Sequence, residues 1–527
     1  MNSRLTLIPA AIVLLLHAAV DLHAEPVDAD LVLRGGTLHD GSGAAPVVGD
    51  VAVKGDRIIA VGEFETGRVG LEVDCRGLVV APGLIDLHNH SDAQVVDRLT
   101  RANVNFVTQG CTTVVTGNCG AGPVEVAEYY QKIDAAGAGT NVAHLLPHGN
   151  LREVAMGSVQ RAATAEEIGK MKDLARRAMQ EGAWGMSTGL IYVPSSFADT
   201  AELIEIARVV GEDGGIYASH IRNESGQLLT AVNEALEIGR QAKLPVHISH
   251  FKSSGRDAWG LVRRAVEMIE ESREKGEIVT ADQYPYIASS TSLDATVIPT
   301  WARAGGQKEL IARLDDAETS PRIREAIIDA VHRCDDGARI KIARYAPKPH
   351  WAGKSIAEIA QTEKVAPVEV VIEITRGGGA AVVNFSMSEE DVRYVMALPW
   401  VATASDGRAY LPGGDRPHPR SYGTFTRKIG HYAAHERTLD LPQAIRSCTG
   451  LPADILRLPE RGYLRVNYFA DLVVFDPEKI RDEATFDDPH QYSHGVKYVF
   501  VNGQPAVWNE IPTGALAGRA LKRESKK

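Results

Sequence analysis

The chain has 527 residues, 44% apolar and 24% charged, with a formal net charge of −11. This is ordinary globular composition with enough chain for a large core, and the length allows roughly two to four domains, fewer if an α/β barrel takes about 250 residues. No basic tract runs through it, which argues against nucleic acid as a partner, and five scattered cysteines are too few and too odd for a disulfide-stapled scaffold.

Residues 1–24 read as an export signal: Arg4 supplies the positive start, "LTLIPAAIVLLLHAAV" the apolar run, and "LHA" before Glu25 a small-residue cleavage site. A membrane anchor competes with this reading. However, the run is shorter than the roughly 20 residues that span a bilayer, and Pro9 and His17 interrupt it. The expectation is a periplasmic or secreted protein with no membrane contact after cleavage.

Residues 25–80 alternate short apolar runs with Gly and Asp-Gly turns, in "DLVLRGGTLHDGSG", "DVAVKGDRIIAVG" and "EVDCRGLVVAPG", the pattern of short antiparallel strands. The same texture returns over 456–527, in "GYLRVNYFADLVVFDPE" and "VKYVFVNGQPAVW". The two ends are expected to form one small β-sandwich.

Between them, over 81–455, eight strand-like runs alternate with helical stretches: "GLIDLHNH", "CTTVVTGNCG", "NVAHLLPHG", "AWGMSTGLIY", "GIYASHI", "LPVHISHF", "IVTADQYPY" and "WVATASDG". Stretches such as "AEEIGKMKDLARRAMQEG" and "QLLTAVNEALEIGRQA" carry apolar residues at helical spacing. Eight such repeats predict a (β/α)8 barrel of TIM type, with its site at the carboxyl ends of the strands. Residues 291–395 exceed one repeat and are read as an insertion between strands seven and eight, placed to act as a lid.

The chemistry-bearing residues fall at those strand ends. In "DLHNH", alternation puts Asp86, His88 and His90 on one face, where two imidazoles can grip a metal ion; alone, His-x-His is equally a core or surface pair. "YASHI" and "HISHF" end strands five and six with His220 and His250, whereas His247, an odd number of residues away, should face elsewhere. "TASDG" ends strand eight with Asp406, a proton acceptor beside a metal or else a turn aspartate before Gly407. Cys119, in "VVTGNCGAG", is by itself a buried spacer, half of a disulfide, or a metal ligand.

Taken in order, "APGLIDLHNHSD", "TTVVTGNCG", "LIY", "SHIRNE", "ISHFKSSG", "DQYPY", "SDG" and "HPRSYGTF" resemble the N-acyl-D-amino-acid deacylases, or D-aminoacylases, of the amidohydrolase superfamily. The resemblance spans nearly all of the chain after residue 24. It implies a tight zinc site of Cys119, His220 and His250 with a fourth position open to water, and a second, weaker metal position at His88, His90 and Asp406. Many superfamily members bridge two metals with a modified lysine on strand four, but here that strand reads "WGMSTGLIYV" and has none. A thiolate from strand two would supply the missing negative ligand.

The resemblance further implies hydrolysis of the amide of N-acyl-D-amino acids, with Asp406 moving the proton. Tyr192, Lys252 and Arg420 would hold the substrate carboxylate, a small-molecule partner. The D preference rests on the resemblance alone. Three alternatives remain: a hydantoinase- or dihydroorotase-like cyclic amidase, a dipeptidase for dipeptides ending in a D-residue, and a non-catalytic binding protein on the same scaffold.

Overall fold

The structure, a computed structural model, describes residues 25–524. The export segment expected over 1–24 lies outside the described residues. Among the described residues, no helix is long and apolar enough to cross a membrane.

Eight strands form the expected ring: Leu84–Asp86, Cys111–Thr116, Asn141–His144 continued by Leu146–Pro147, Gly185–Gly189, Ile216–His220, Val246–Ile248, Val279–Gln283 and Val401–Thr403. Each pairs in parallel with the next. The ring closes past the ends of its first and last members, where Asp406 N donates to His88 O (2.8 Å) and His90 N to Gly407 O (2.7 Å). Buried on both faces except at Thr280, these strands carry near-continuous apolar or small residues rather than alternation.

Helices cover the ring where the periodicity placed them. Ala165–Gln180 begins at Thr164, whose side chain accepts from Glu167 N while Glu167 bonds back, a capping box. It turns Met171, Ala175, Ala178 and Met179 inward, and Leu228–Ala242 buries Leu228, Val232, Ala235 and Leu236 in the same way.

The two chain ends share one nine-stranded sheet, joined where Leu472–Phe475 pairs antiparallel with Val79–Pro82. The pairing is not wholly antiparallel as expected. One edge of Val27–Leu38 is covered by Val47–Lys54, antiparallel, and the other is shared by Thr66–Asp74 and Val79–Pro82, both parallel. A register break between Leu33 and Gly36 lets the long strand turn from one partner to the other.

The insertion lies between the seventh and eighth barrel strands. It carries a three-stranded sheet, Ser289–Ser292, Ala381–Asn384 and Ile340–Arg344, and its own buried cluster, including Leu310, Ile323, Ile327, Val371 and Trp351. This sheet stands at the carboxyl ends of the barrel strands and walls the site.

Candidate metal centre and active site

The strand ends bring two sets of donor atoms together. Cys119, His220 and His250 form one; His88, with His90 and Cys119 or with His250 and Asp406, forms the other. All these residues are buried except His90, which is partly buried. All five cysteines are unpaired, which removes the disulfide reading of Cys119.

The first set fits a zinc ion. Cys119 Sγ lies 3.7 Å from His220 Nδ1 and 3.6 Å from His250 Nε2. Tetrahedral zinc with Zn–S of about 2.3 Å and Zn–N of about 2.0–2.1 Å requires S···N separations of about 3.5–3.6 Å. Burial pushes the thiol pKa up, but His88, His220 and His250 outweigh it and hold Cys119 well below the ordinary thiol range, favouring thiolate. Burial also lowers the pKa of His220, favouring the neutral imidazole a metal needs. In the second set, Asp406 Oδ1 lies 3.0 Å from His90 Nε2 and 3.5 Å from His88 Nε2, and His88 Nε2 lies 3.2 Å from Cys119 Sγ. The thiolate thus sits between the two sets.

Three of these residues hold left-handed backbone conformations: Cys119 (φ 52°), His250 (φ 37°) and Asp406 (φ 50°). Such non-glycine conformations cost of order 1–3 kcal/mol each and persist where neighbours fix them. Around Cys119 the fixing is visible: Gly120 N donates to Ser187 Oγ (3.0 Å), whose hydroxyl bonds Gly117 O. Gly189 leaves the Cys119 carbonyl room that a Cβ, only 2.2 Å away, would fill.

Behind the donors stands a layer that the motifs did not single out. Glu224 Oε1 and the Lys252 ammonium lie 2.9 and 2.8 Å from His250 Nδ1, a brace that turns Nε2 to the centre. Asp282 accepts from His250 N (2.7 Å), contacts His247 Nε2 (2.8 Å) and lies 3.5 Å from His88 Nδ1. His247 therefore faces this network rather than the donor sets, as its spacing predicted. Asp86 departs from the shared face expected for it. The strand ends at Asp86, whose carboxylate accepts from Ser405 N and Asn89 Nδ2 (both 2.8 Å), tying strand one to strand eight. Burial raises its pKa to about 6.

A cavity of about 1020 Å³ opens over the centre, lined by His90, Cys119, Tyr192, Asp406, Arg420 and residues of the insertion. Tyr192 bonds Thr291 of the insertion (3.0 Å). Arg420 lies with Nη1 2.7 Å from Asp406 Oδ2 and Nη2 bonded to Ser290 O (3.1 Å), over the Tyr284 ring. Nη1 nevertheless has no aligned hydrogen-bond partner. Burial works to raise the Asp406 pKa, but Arg420, His250 and His88 hold it well below the carboxylate range. Lys252 is the exception among the expected substrate contacts. It is not among the cavity-lining residues, and its ammonium donates to Glu224 Oε1 (2.6 Å) and His250 O (2.7 Å), bracing the ligand instead.

Residues 71–507 match the amidohydrolase family model. The chain belongs to the amidohydrolase family. Within it, the chain is 38% identical to a D-aminoacylase of Alcaligenes xylosoxydans xylosoxydans, over 94% of this chain and 98% of that one. It is 35% identical to an N-acyl-D-aspartate deacylase of the same organism, over 93% and 94%. Among solved structures, it superposes with a TM-score of 0.81 and 33% identity on the N-acyl-D-glutamate deacylase of Bordetella bronchiseptica, covering 94% of this chain and 100% of that one. That relative was crystallised with zinc and a phosphonate inhibitor that mimics the tetrahedral intermediate.

Proposed function

We propose that this amidohydrolase is a zinc-dependent deacylase of N-acyl-D-amino acids. The observation that carries the reading is the Cys119/His220/His250 set at zinc-ligand spacing, with Asp406 and Arg420 in contact above it in one cavity. A zinc ion held by Cys119, His220 and His250 would supply Lewis acidity for the substrate carbonyl and for the attacking water. The set at His88, His90 and Asp406 has the donors for a second, weaker ion.

The chain's own residues do the rest. Arg420, which lines the cavity, takes the substrate carboxylate, and a guanidinium orients as well as neutralises it. Tyr192 adds a hydroxyl on the same side. Once a substrate carboxylate engages Arg420, the charge that holds the Asp406 pKa down is shared, and Asp406 becomes the better base. It accepts the proton of water and returns it to the nitrogen as the C–N bond breaks, a role worth about 10²–10⁴ in rate. The cyclic-amidase alternative lacks support: the fourth strand, Gly185–Gly189, carries no lysine, and Cys119 supplies the anionic ligand. The export signal read over residues 1–24 supports a site of action in the periplasm or outside the cell.

The test is amine release by the zinc-loaded enzyme from paired N-acetyl-D- and N-acetyl-L-amino acids. D-selective release is expected. Release from hydantoins or dihydroorotate without release from either acyl series would overturn the reading.

A further inference from the structure

Ser195 borders the cavity beside Gly120 but belongs to neither set of metal donors. It is 2% exposed and opens the short turn Ser195–Phe197 that follows strand four. Its Oγ lies 3.1 Å from Nδ1 of His148, the first residue of the helix His148–Met156 after strand three. His148 Nε2 in turn lies 3.2 Å from Oε1 of Glu202, in the first turn of the helix Thr200–Glu212. Arg152 Nε donates to the same carboxylate oxygen (2.9 Å). His148 and Glu202 are buried as well.

Each of the three is fitted to one task. Burial opposes the charge on Glu202, but His148 and Arg152 prevail and keep its pKa below the ordinary value. An ionised Glu202 accepts from His148 Nε2, which leaves Nδ1 as the acceptor for the Ser195 hydroxyl. A nucleophile, a base within hydrogen-bond reach and a carboxylate orienting that base make a serine triad, whatever their order in the chain. The surroundings suit the chemistry. A Cβ at Gly120 or Gly149 would stand 3.1 or 3.0 Å from Oγ, so glycine at both keeps the hydroxyl uncrowded. The helix His148–Met156 begins here without a side-chain cap, and its first amide groups, Gly149 N among them, are free to meet a developing oxyanion. The lining residues from His90 to Ser195 include no lysine or arginine, so this side of the cavity favours an uncharged acyl group.

We propose that Ser195, His148 and Glu202 form a second catalytic site in this cavity, one that hydrolyses uncharged carboxylic esters through an acyl-serine without using the metal. Ser195 Oγ adds to the ester carbonyl carbon while its proton passes to His148 Nδ1. The C–O bond to the alcohol breaks, and His148 gives that proton to the leaving oxygen. Water then adds to the acyl-serine, His148 takes its proton, and Ser195 Oγ leaves with that proton as the carboxylic acid is released. Glu202 stays ionised throughout and steadies the imidazolium. The sum consumes one water and one ester.

A fluorophosphonate tests this on the zinc-loaded enzyme, because it forms a bond to an activated serine that does not turn over. A metal centre leaves no such adduct. The expected result is one adduct per chain, mapped by peptide mass spectrometry to Ser195. It should form at least about 100-fold more slowly in His148→Gln and in Glu202→Gln, with zinc content as the check that both variants are folded. Hydrolysis of p-nitrophenyl acetate should fall in Ser195→Ala. The wild-type adduct decides without any variant: its absence from Ser195, while a standard serine hydrolase is labelled in the same tube, overturns the proposal. Equal labelling of folded His148→Gln, or ester hydrolysis that Ser195→Ala leaves at the wild-type rate, overturns it too. Amine release from N-acetyl-D-amino acids is measured separately, so failure here leaves the deacylase reading standing.

Discussion

Cys119 concentrates the chemistry of the site in one atom. Its sulfur touches donors of both sets, and its backbone is held in a conformation that glycine adopts more readily. Replacing sulfur by oxygen removes the soft anionic ligand while leaving the shape nearly unchanged. Loss of a residue that merely orients a ligand typically costs 10–100-fold in metal affinity or activity, so Cys119→Ser should cost at least about 100-fold in each. Metal content after dialysis against a weak chelator, with circular dichroism as the check on folding, measures it. Lys428 presents the opposite case, a buried charge with no carboxylate partner among the described residues. It is 2% exposed, and its ammonium has one bond, to Met396 O (3.0 Å). Burial lowers its pKa from 10.5 to about 8. The unfolded chain therefore binds the proton more tightly than the folded one. Stability falls as pH drops from about 10.5 to about 8 and stays at that reduced level below, a penalty of roughly 3 kcal/mol. Lys428→Met should raise the urea midpoint most at pH 7 and least near pH 10.5. An equal gain at both pH values would place the effect in packing instead.

The elements that build the site are the carboxyl ends of the strands, where the ligands and their supports sit within a few residues of one another. Glu224 follows His220 by four residues and reaches across to strand six, where it meets both His250 and Lys252. Glu224→Gln keeps the shape but removes the charge beside His250 Nδ1, and should weaken zinc affinity about 10–100-fold with a smaller effect on KM. Competition against a zinc-sensitive dye measures the first, and steady-state kinetics the second. Much at this scale was legible in the chain. The eight strands, the helix after Thr164 and the insertion follow from runs, periods and a cap that act locally. His88, His90, His220, His250 and Asp406 are readable because each ends such a run. The supports are not, since nothing in "SHIRNE" or "DQYPY" says that Glu224 and Asp282 turn toward a neighbouring strand's histidine. For the same reason Lys252 reads as a rim cation although its neighbour across the strands is a carboxylate. The parallel partners of Val27–Leu38 are equally invisible, because alternation gives a strand its faces but not the partners along its edges.

At the scale of the whole molecule, the sheet made from both chain ends is fastened to the barrel by a buried polar junction. Asp471, just before Leu472–Phe475, accepts from Asn141 Nδ2 on the third barrel strand (3.1 Å) and from Asn502 N (2.8 Å), and it pairs with Arg461. Arg461 also donates to Asn502 Oδ1 (2.9 Å), and Asn502 Nδ2 donates to Asn141 Oδ1 (2.8 Å). Every member is buried. Such a network repays its desolvation only when complete, so removing one partner leaves a charge buried without compensation. Asp471→Ala strands the Arg461 guanidinium and should cost about 3–5 kcal/mol. Arg461→Met together with Asp471→Leu removes both charges and should recover most of that loss. The junction lies at the opposite end of strand three from the cavity, so the predicted damage is to the attachment of the sheet before it reaches the metal centre. Denaturant unfolding followed by tryptophan fluorescence, alongside residual deacylase activity, separates the two. A single variant that loses stability while keeping kcat per bound zinc, and a double variant that regains it, would place the cost in the unpaired charge. A double variant as unstable as the single one would instead assign it to the lost hydrogen bonds of Asn141 and Asn502.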